Sequence, residues 1–242
     1  ELAHGVVARL GDIPVLSTGV AMALVFFGAF VEPDEKEFEK ASLLERLRML
    51  WAGSATNLVT ALLFFLLIEG LFAAPAGIMI QETLPNGPIE KQAIGLRQWD
   101  VIYQIDDTRI LTLEDFYDFM EDKKPGVVMV LHTNKGNFPV ETAEGSKGQA
   151  VLGLFPTVYR PSRLGLEHYT AVNLYLTLFW VHLLALSVAI FNMLPLYPFD
   201  GERFLYYPLE RLVTKHKREV RGAINAFSLG LIALNMFMSF YR

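Results

Sequence analysis

Residues 192–204, NMLPLYPFDGERF, end a long apolar run with two prolines and an Asp-Gly pair. Because Pro195 and Pro198 are incompatible with a regular helix, they predict irregular backbone just before Asp200. At membrane depth, irregular backbone is tolerated only where it is buried in protein or lines a water-filled cavity. An ionisable side chain in such a place is a candidate functional residue. The alternative is that Asp200 only caps the helix that begins near Glu202.

The apolar run before this segment is one of three that could cross a membrane. Of the 242 residues, 52% are hydrophobic and 19% are charged, and the mean hydropathy is +0.33. About 20 apolar residues span a bilayer core. The candidate spans are residues 51–74, residues 171–198 with the proline-containing exit, and residues 223–240. They predict a multi-span α-helical membrane protein, in which residues 1–10 look like the end of a further helix that begins upstream.

Residues 13–31, IPVLSTGVAMALVFFGAFV, are also long enough to cross but have the features of a hairpin. Pro14, Gly19 and Gly28 interrupt the apolar run, and several valines add β-branched character. A backbone that leaves the helical pattern must satisfy its own hydrogen bonds inside the membrane. We therefore predict a re-entrant membrane β-hairpin, which enters and leaves on the same side.

Residues 76–160 have the pattern of a small α+β domain outside the membrane. Turn signals at PNGP, KPG and NKGN separate short β-rich segments, and LEDFYDFM places Leu113, Phe116 and Met120 on one helix face. The predicted strands are residues 78–83, 101–105, 127–133, 138–142 and 151–155. Residues 76–168 contain nine Lys and Arg against thirteen Asp and Glu, so this block is acidic.

Two polar segments flank the spans on the other side of the membrane. Residues 32–50 predict an interfacial helix with leucines on one face. Residues 202–221 hold the densest basic cluster, formed by Arg203, Arg211, Lys215, Lys217, Arg218 and Arg221. Basic loops stay in the cytoplasm, so this side is predicted to be cytoplasmic and the acidic block external. The chain thus divides into a membrane core of residues 1–75 and 161–242 with an inserted domain of residues 76–160.

Composition and spacing limit the kinds of site that the chain can form. The net charge of −5 argues against a nucleic-acid partner, and the absence of cysteine excludes disulfides and thiolate metal sites. Any metal must therefore be held by histidine and carboxylate groups. His182 lies within a span and about 27 Å along a helix from Asp200, too far to share one coordination sphere. A hydrogen-bonded structural role is predicted for His182.

Glu1 and His4, at the start of the chain, have a spacing that brings both side chains near one face of a helix. Glu-x-x-His is the end of the His-Glu-x-x-His pattern if a histidine precedes Glu1. In that pattern two histidines bind one zinc ion and the glutamate activates the attacking water. The alternative is a Glu–His pair that closes a helix turn, and the short pattern by itself does not decide between the two.

Together these stretches resemble the site-2 protease family of intramembrane zinc metalloproteases, in a form that carries a PDZ-like insert. The resemblance covers nearly all of the chain, and the order and spacing of several motifs make it specific. The matching motifs are ELAHG at 1–5, GAFVEPDE at 28–35, AGSATN at 52–57 and NMLPLYPFDG at 192–201. Residues 77–155 resemble a PDZ domain, with Trp99 where that pattern usually has glycine.

The resemblance implies a zinc ion held by His4, Asp200 and a histidine expected just before Glu1. It also implies that Glu1 is the general base and then the general acid, and that Asn192 and Asn57 bind substrate. The implied reaction is regulated intramembrane proteolysis, in which a peptide bond in or near a transmembrane segment of a membrane-protein substrate is hydrolysed. That substrate is expected to have been shortened outside first. The resemblance places the active site toward the cytoplasmic side of a prokaryotic cell membrane.

A metal shared by His4 and Asp200 gives an independent argument for the hairpin. If residues 13–31 crossed the membrane, every later segment would be inverted and Asp200 would emerge on the side opposite His4. A re-entrant hairpin instead leaves both residues, and the basic segment, on one side. Its exposed strand edge could hold an unwound substrate by β-augmentation.

Two other functions remain open on the sequence alone. A catalytically inactive homologue could act as a membrane scaffold through its PDZ-like domain, and a residue other than histidine before Glu1 would favour that reading. A transporter could use Asp200 as a midplane carboxylate, but the spans show no inverted repeat.

Overall fold

The structure is a computed structural model that describes residues 1–23, 26–93, 95–213 and 215–240. The described helices are α1 (Leu2–Leu10), α2 (Glu35–Lys40), α3 (Leu43–Leu71), α4 (Pro88–Gln92), α5 (Leu113–Glu121), α6 (His168–Asn192), α7 (Asp200–Leu212) and α8 (Lys217–Phe240). The chain forms two compact units, Glu1–Phe65 with Trp180–Arg242, and Leu66–Phe179. Helices α3 and α6 contribute residues to both units.

The core of the first unit lies where α1, α2 and α3 meet. A cluster of buried apolar side chains joins these elements, formed by Ala8, Ile13, Phe38, Met49 and Leu50. Phe204 and Tyr207 of α7 pack against its edge. Burying such side chains stabilises the unit by about 25 cal/mol for each Å² of apolar surface removed from water. The cluster fixes α1 against α3, which matters because α1 carries His4.

A two-stranded antiparallel hairpin follows α1. Strands β1 (Val15–Ala23) and β2 (Phe26–Pro33) place Val20 opposite Ala29. The hairpin predicted for residues 13–31 is therefore present as paired strands, while its entry into a membrane stays a prediction. Residues 24 and 25, between the strands, lie outside the described part of the chain.

The prediction of a single interfacial helix over residues 32–50 is wrong. Asp34 ends the hairpin and caps α2, because its carboxylate accepts the backbone N–H groups of Lys36 and Glu37. Ser42 and Glu45 then cap α3 reciprocally: each backbone N–H donates to the other residue's side chain, at 2.8 and 3.3 Å. Such a capping box starts a helix, so the segment divides into a short helix and the first turns of α3.

Three described helices, α3, α6 and α8, are long and apolar enough to cross a membrane. The predicted span 51–74 is part of the longer helix α3, because the capping box moves the helix start to Leu43. The predicted span 171–198 ends as a helix at Asn192, since Pro195 and Pro198 cannot continue it. The predicted basic segment 202–221 is divided between α7 and the first turn of α8, and the span predicted for 223–240 is the remainder of α8.

The second unit is built on an antiparallel sheet. Its described strands are β3 (Gly77–Thr83), β4 (Val101–Ile105), β5 (Thr108–Arg109), β6 (Val128–Thr133), β7 (Gly136–Glu141), β8 (Ala143–Glu144), β9 (Ala150–Val151) and β10 (Leu154–Tyr159). The sheet order is β10-β3-β4-β6-β7, with β5 paired to β4. Helix α5 covers the sheet with Phe116 and Met120, which pack into one core with Ile78, Ile102 and Leu131. These elements form the predicted α+β domain.

The strand predicted for residues 151–155 is wrong. Gly153 has φ +73°, a left-handed conformation that ends β9 before β10 begins. A Cβ atom at Gly153 would lie 2.7 Å from Cδ of Pro88, so this turn also needs glycine for space. The close approach of α4 therefore divides the predicted strand in two.

Trp99, which stands where a PDZ domain usually has glycine, adopts the backbone conformation that glycine would favour. Its φ is +73°. Its backbone N–H donates to the carbonyl of Ile80, and its own carbonyl lies 2.9 Å from Nε2 of His168. These bonds on both sides of the residue hold the strained conformation.

An arginine joins the end of β10 to the end of α3 within the second unit. The Arg160 guanidinium makes two bonds to the Glu69 carboxylate, at 2.5 and 3.0 Å, and donates to the carbonyl of Ala73 at 2.7 Å. Such a bidentate ion pair fixes the relative orientation of the two side chains and also stabilises their contact. The sheet is thereby tied to the last turns of a candidate span.

Candidate active site

His4 is held in one orientation by α3. The side chain is 7% exposed, and Nδ1 lies 2.8 Å from the carbonyl oxygen of Met49. A carbonyl can only accept, so Nδ1 donates its N–H to Met49 and Nε2 is the ring atom left for another partner. A backbone carbonyl behind the ring is the usual support for a metal-ligating histidine. This orientation makes Nε2 the atom of His4 that could bind a metal ion.

Gly53 leaves the space into which Nε2 of His4 points. A Cβ atom at this position of α3 would lie 2.1 Å from Nε2 and 2.9 Å from Cδ2 of the same ring. No side chain larger than hydrogen can occupy the site without moving the imidazole. The glycine in the AGSATN motif is thus required by the close approach of α1 to α3.

Asp200 is brought to the same atom from the other end of the chain. It is the first residue of α7, and its Oδ2 lies 3.4 Å from Nε2 of His4. Among the described residues its carboxylate accepts no backbone N–H, so the alternative that it caps α7 is not what the structure shows. Burial raises the pKa of Asp200 above its ordinary value, although the nearby His4 acts in the opposite direction. A bound divalent cation would favour the ionised carboxylate.

Glu1 completes the set of candidate chemical groups around one small cavity. The cavity has a volume of about 150 Å³, and Glu1, His4 and Asp200 all line it. Arg203, one turn after Asp200, also lines it and lies 3.5 Å from Glu35 of α2. The cavity therefore combines a possible proton acceptor, two possible metal ligands and a cation. The basic cluster of the sequence had suggested only membrane orientation for Arg203.

Asn57 and Asn192 do not line this cavity. Both side chains are half-buried, and neither forms a hydrogen bond with another described residue. Their amides are therefore available to an external ligand, although the structure does not bring them to His4. His182, in contrast, bonds through Nδ1 to the carbonyl of Ala61 at 2.8 Å, which confirms the structural role predicted for it.

The donor atoms fit part of a zinc site. Within the described residues, no group of three His, Cys, Asp or Glu side chains is arranged to hold a metal ion. Catalytic zinc usually takes three protein ligands, drawn from histidine nitrogen and carboxylate oxygen among others. His4 and Asp200 supply one of each, with the space left by Gly53 beside Nε2. Together they would supply two of the three ligands.

One ion pair near Asp200 could not be foreseen from motifs. Glu202 is 2% exposed and binds Arg221 of α8 through both carboxylate oxygens. In the sequence, Glu202 looked like a helix-start residue and Arg221 like part of a basic surface. They are nineteen positions apart and lie on different helices, so no local periodicity pairs them.

The chain is similar in sequence to a peptidase family. A family model described as Peptidase family M50 matches residues 1–236. An uncharacterized protein of Methanocaldococcus jannaschii is 29% identical over 97% of this chain. A protein of Clostridium perfringens, provisionally named a zinc metalloprotease, is 29% identical over 48% of this chain. The chain spans 62% of the length of the first relative, and the match to the second covers 36% of that protein.

Two solved structures are similar to about a third of the chain. The PDZ domain of an SdrC-like protein from Listeria monocytogenes has a TM-score of 0.32 and 19% identity, and covers 35% of this chain and 92% of that one. The PDZ domain of an SdrC-like protein from Listeria innocua has a TM-score of 0.30 and 24% identity, and covers 34% and 96%.

Proposed function

Because this chain belongs to peptidase family M50, the site-2 protease family, we propose that it is the core of an intramembrane zinc metalloprotease. The proposed reaction is hydrolysis of a peptide bond in or near a transmembrane segment of a membrane-protein substrate. One observation carries the proposal: residues 196 positions apart, His4 and Asp200, meet at 3.4 Å in a cavity that Glu1 also lines. A structural Glu–His pair would not require this meeting.

The roles of the residues follow from their atoms. His4 Nε2 and an oxygen of Asp200 would hold zinc, which when bound supplies Lewis acidity for the scissile carbonyl and the attacking water. Glu1 takes a proton from that water on its carboxylate and passes it to the leaving amide nitrogen. The Met49 carbonyl accepts from Nδ1 of His4 and so holds the ring with Nε2 toward Asp200. Arg203 holds a positive charge at the cavity wall, where it favours bound groups with negative charge.

Substrate binding is proposed for two asparagines that lie outside the cavity. Asn57 on α3 and Asn192 at the end of α6 have amides that no described residue bonds, so they can pair with the backbone of an unwound substrate. A transmembrane substrate has its amides bonded within its own helix. Partners for the freed groups are therefore needed before the bond can be cut.

The hairpin is proposed to enter the membrane and to bind substrate along a strand edge. Its two strands pair with each other and not with a third described strand, and Val20 in β1 is 77% exposed. We expect Val20→Pro, which removes a backbone N–H and distorts the strand, to abolish cleavage while zinc stays bound. Val20→Ala keeps that N–H and should cleave like the parent. Cleavage by the proline variant at the parental rate would contradict the role of the hairpin.

The inserted α+β domain is proposed to be a PDZ-like, external domain that selects substrates already shortened outside. A groove of about 420 Å³ lies between α5 and the β9–β10 segment, with Phe116, Tyr117 and Met120 on its helix side. Such an apolar groove can take an extended peptide end. The protein would then be a multi-pass protein of a prokaryotic cell membrane with its active site toward the cytoplasm.

The decisive test is cleavage of a single-span membrane reporter by the full-length protein, with zinc supplied. Glu1→Gln should reduce cleavage at least about a hundredfold, because it removes the proton acceptor while the ligand residues remain. Glu39→Gln, an exposed carboxylate of α2, is the matched control. Equal cleavage by parent and Glu1→Gln would refute the role of Glu1. Absence of both zinc and cleavage would favour the inactive scaffold instead.

A further inference from the structure

Helix α8 contacts the turn of α7 that follows Asp200. Glu202, two residues later, is 2% exposed, and Arg221 of α8 binds both of its carboxylate oxygens, with Nη2 at 2.7 Å from Oε2. A buried carboxylate is costly unless it is paired in this way. The Arg221 guanidinium also lies 4.8 Å from the centre of the Tyr206 ring. Arg221 therefore has a fixed position and gives Glu202 one.

A second contact from α8 holds the chain on the other side of Asp200. Oδ1 of Asn225 accepts the backbone N–H of Tyr197 at 2.6 Å, and Nδ2 donates to the carbonyl of Arg221 at 2.9 Å. Residues 221 and 225 are four apart and share one face of α8. That face thus holds the irregular loop before Asp200 and the helix turn after it.

Between these two anchors, the backbone at Gly201 is closely packed against the preceding loop. A Cβ atom at Gly201 would lie 2.2 Å from the carbonyl carbon and oxygen of Met193. The loop and the helix start are therefore packed backbone to backbone. We therefore expect a displacement at Tyr197 or Glu202 to change the position of Asp200.

The contact on the cavity side is, in comparison, weak. Asp200 meets His4 through one pair of atoms at 3.4 Å, beyond the range of a good hydrogen bond. That contact alone cannot fix the direction of the carboxylate. The contacts that can fix it come from α8.

We propose that Arg221 and Asn225 of α8 are positioning residues that set the carboxylate of Asp200 opposite Nε2 of His4. Neither residue lines the cavity. The inference rests on the proposed function, because it gives Asp200 the role of a ligand. Its consequence is that a candidate membrane span outside the motifs determines both metal affinity and turnover.

Asn225 offers the cleaner test, because its replacement leaves no buried charge behind. In the full-length protein in detergent, zinc affinity is measured by chelator competition, and the absorption spectrum of the cobalt-substituted protein reports ligand geometry. Asn225→Ala should lower zinc affinity about ten- to a hundredfold, the usual loss for an outer contact of a metal site, and shift the cobalt spectrum. Cleavage should lose kcat with little change in KM.

Two matched variants separate positioning from folding. Asn225→Asp keeps the oxygen that accepts from Tyr197 and should restore affinity, spectrum and kcat toward the parent. Asn235→Ala, at an exposed position of the same helix, should behave as the parent. The double variant Glu202→Gln with Arg221→Gln removes the ion pair without leaving one buried charge, and should repeat the loss seen in Asn225→Ala.

The outcomes distinguish this inference from the proposed function. A parent that binds zinc and cleaves, with Asn225→Ala and the double variant equal to it in zinc affinity and spectrum, overturns the positioning role alone. A parent that binds no zinc overturns the proposed function, and this inference with it. Loss in Asn225→Ala that Asn225→Asp fails to restore, although both are folded, also counts against the bond to Tyr197.

Discussion

The start of α5 and the start of α7 each carry an aspartate in the first helical turn, but the two carboxylates are in opposite situations. Asp115 accepts the backbone N–H groups of Leu111 and Thr112, both at 2.9 Å, and its own N–H donates to Oγ1 of Thr112 at 3.1 Å. Asp200 accepts no backbone N–H from a described residue and faces His4. Asp115 therefore caps its own helix, whereas the carboxylate of Asp200 contacts a residue of another helix.

The difference appears in the pKa values of the two groups. The backbone N–H donors hold the pKa of Asp115 below its ordinary value, while burial raises the pKa of Asp200 above it. A carboxylate that the fold leaves buried with an incomplete set of partners costs stability. Natural proteins keep such costs where function requires them. The comparison is therefore consistent with the proposed role of Asp200, and not of Asp115, as a metal ligand.

The largest effect is expected from a substitution that fills the space beside His4. Gly53→Ala places a Cβ atom where it would lie 2.1 Å from Nε2, so the imidazole must leave its present position. We expect zinc affinity to fall more than about tenfold and reporter cleavage to be lost. Gly70→Ala is the matched control, because it lies on the same helix with no atom within 4 Å of the added Cβ. Parental zinc affinity in Gly53→Ala would show that Nε2 is not a ligand atom.

A smaller effect is expected when the two aspartates are changed in parallel. Asp115→Ala removes the capping box and should lower the thermal stability of the protein and the hydrogen-exchange protection of α5. Asp200→Asn keeps a polar side chain but removes a half-buried charge, so the stability of the metal-free protein should not fall. The measurements are thermal unfolding and hydrogen exchange of both variants without zinc. A loss of stability in Asp200→Asn as large as that in Asp115→Ala would mean that Asp200 is structural.

The same contrast explains what the sequence could predict. Thr112 and Asp115 are three residues apart, and the elements that such local patterns govern, the apolar spans and the strands of the inserted domain, lie close to their predicted positions. The two errors of extent, at residues 32–50 and 151–155, arose where a capping box and a glycine turn divided one segment into two. The capping box and the glycine turn each depend on a few residues, and hydrophobic periodicity does not detect them.

The candidate site depends on contacts between distant parts of the chain. Spacing alone left Glu1 with His4, and Asp200, each with a structural alternative, and only the family pattern joined them. The Met49 carbonyl behind His4 and the pair between Glu202 and Arg221 have no sequence signal, because each joins residues from different helices. Contacts between residues on different helices depend on how the helices pack, and local sequence patterns do not predict that packing.

The smallest expected effect is a pH dependence that belongs to Asp115. Its folded pKa lies below the value near 3.8 of the unfolded chain, so its ionised form is favoured by folding. The resulting stability is fully present above the unfolded pKa and is lost as the pH falls through the folded pKa. Thermal unfolding of the parent and Asp115→Asn, measured without zinc from about pH 5 to about pH 2.5, should therefore converge toward the acid end. A gap between the two that stays constant over this range would show that the bonds to Leu111 and Thr112 do not depend on the charge of Asp115, and the contrast with Asp200 would then be one of position alone.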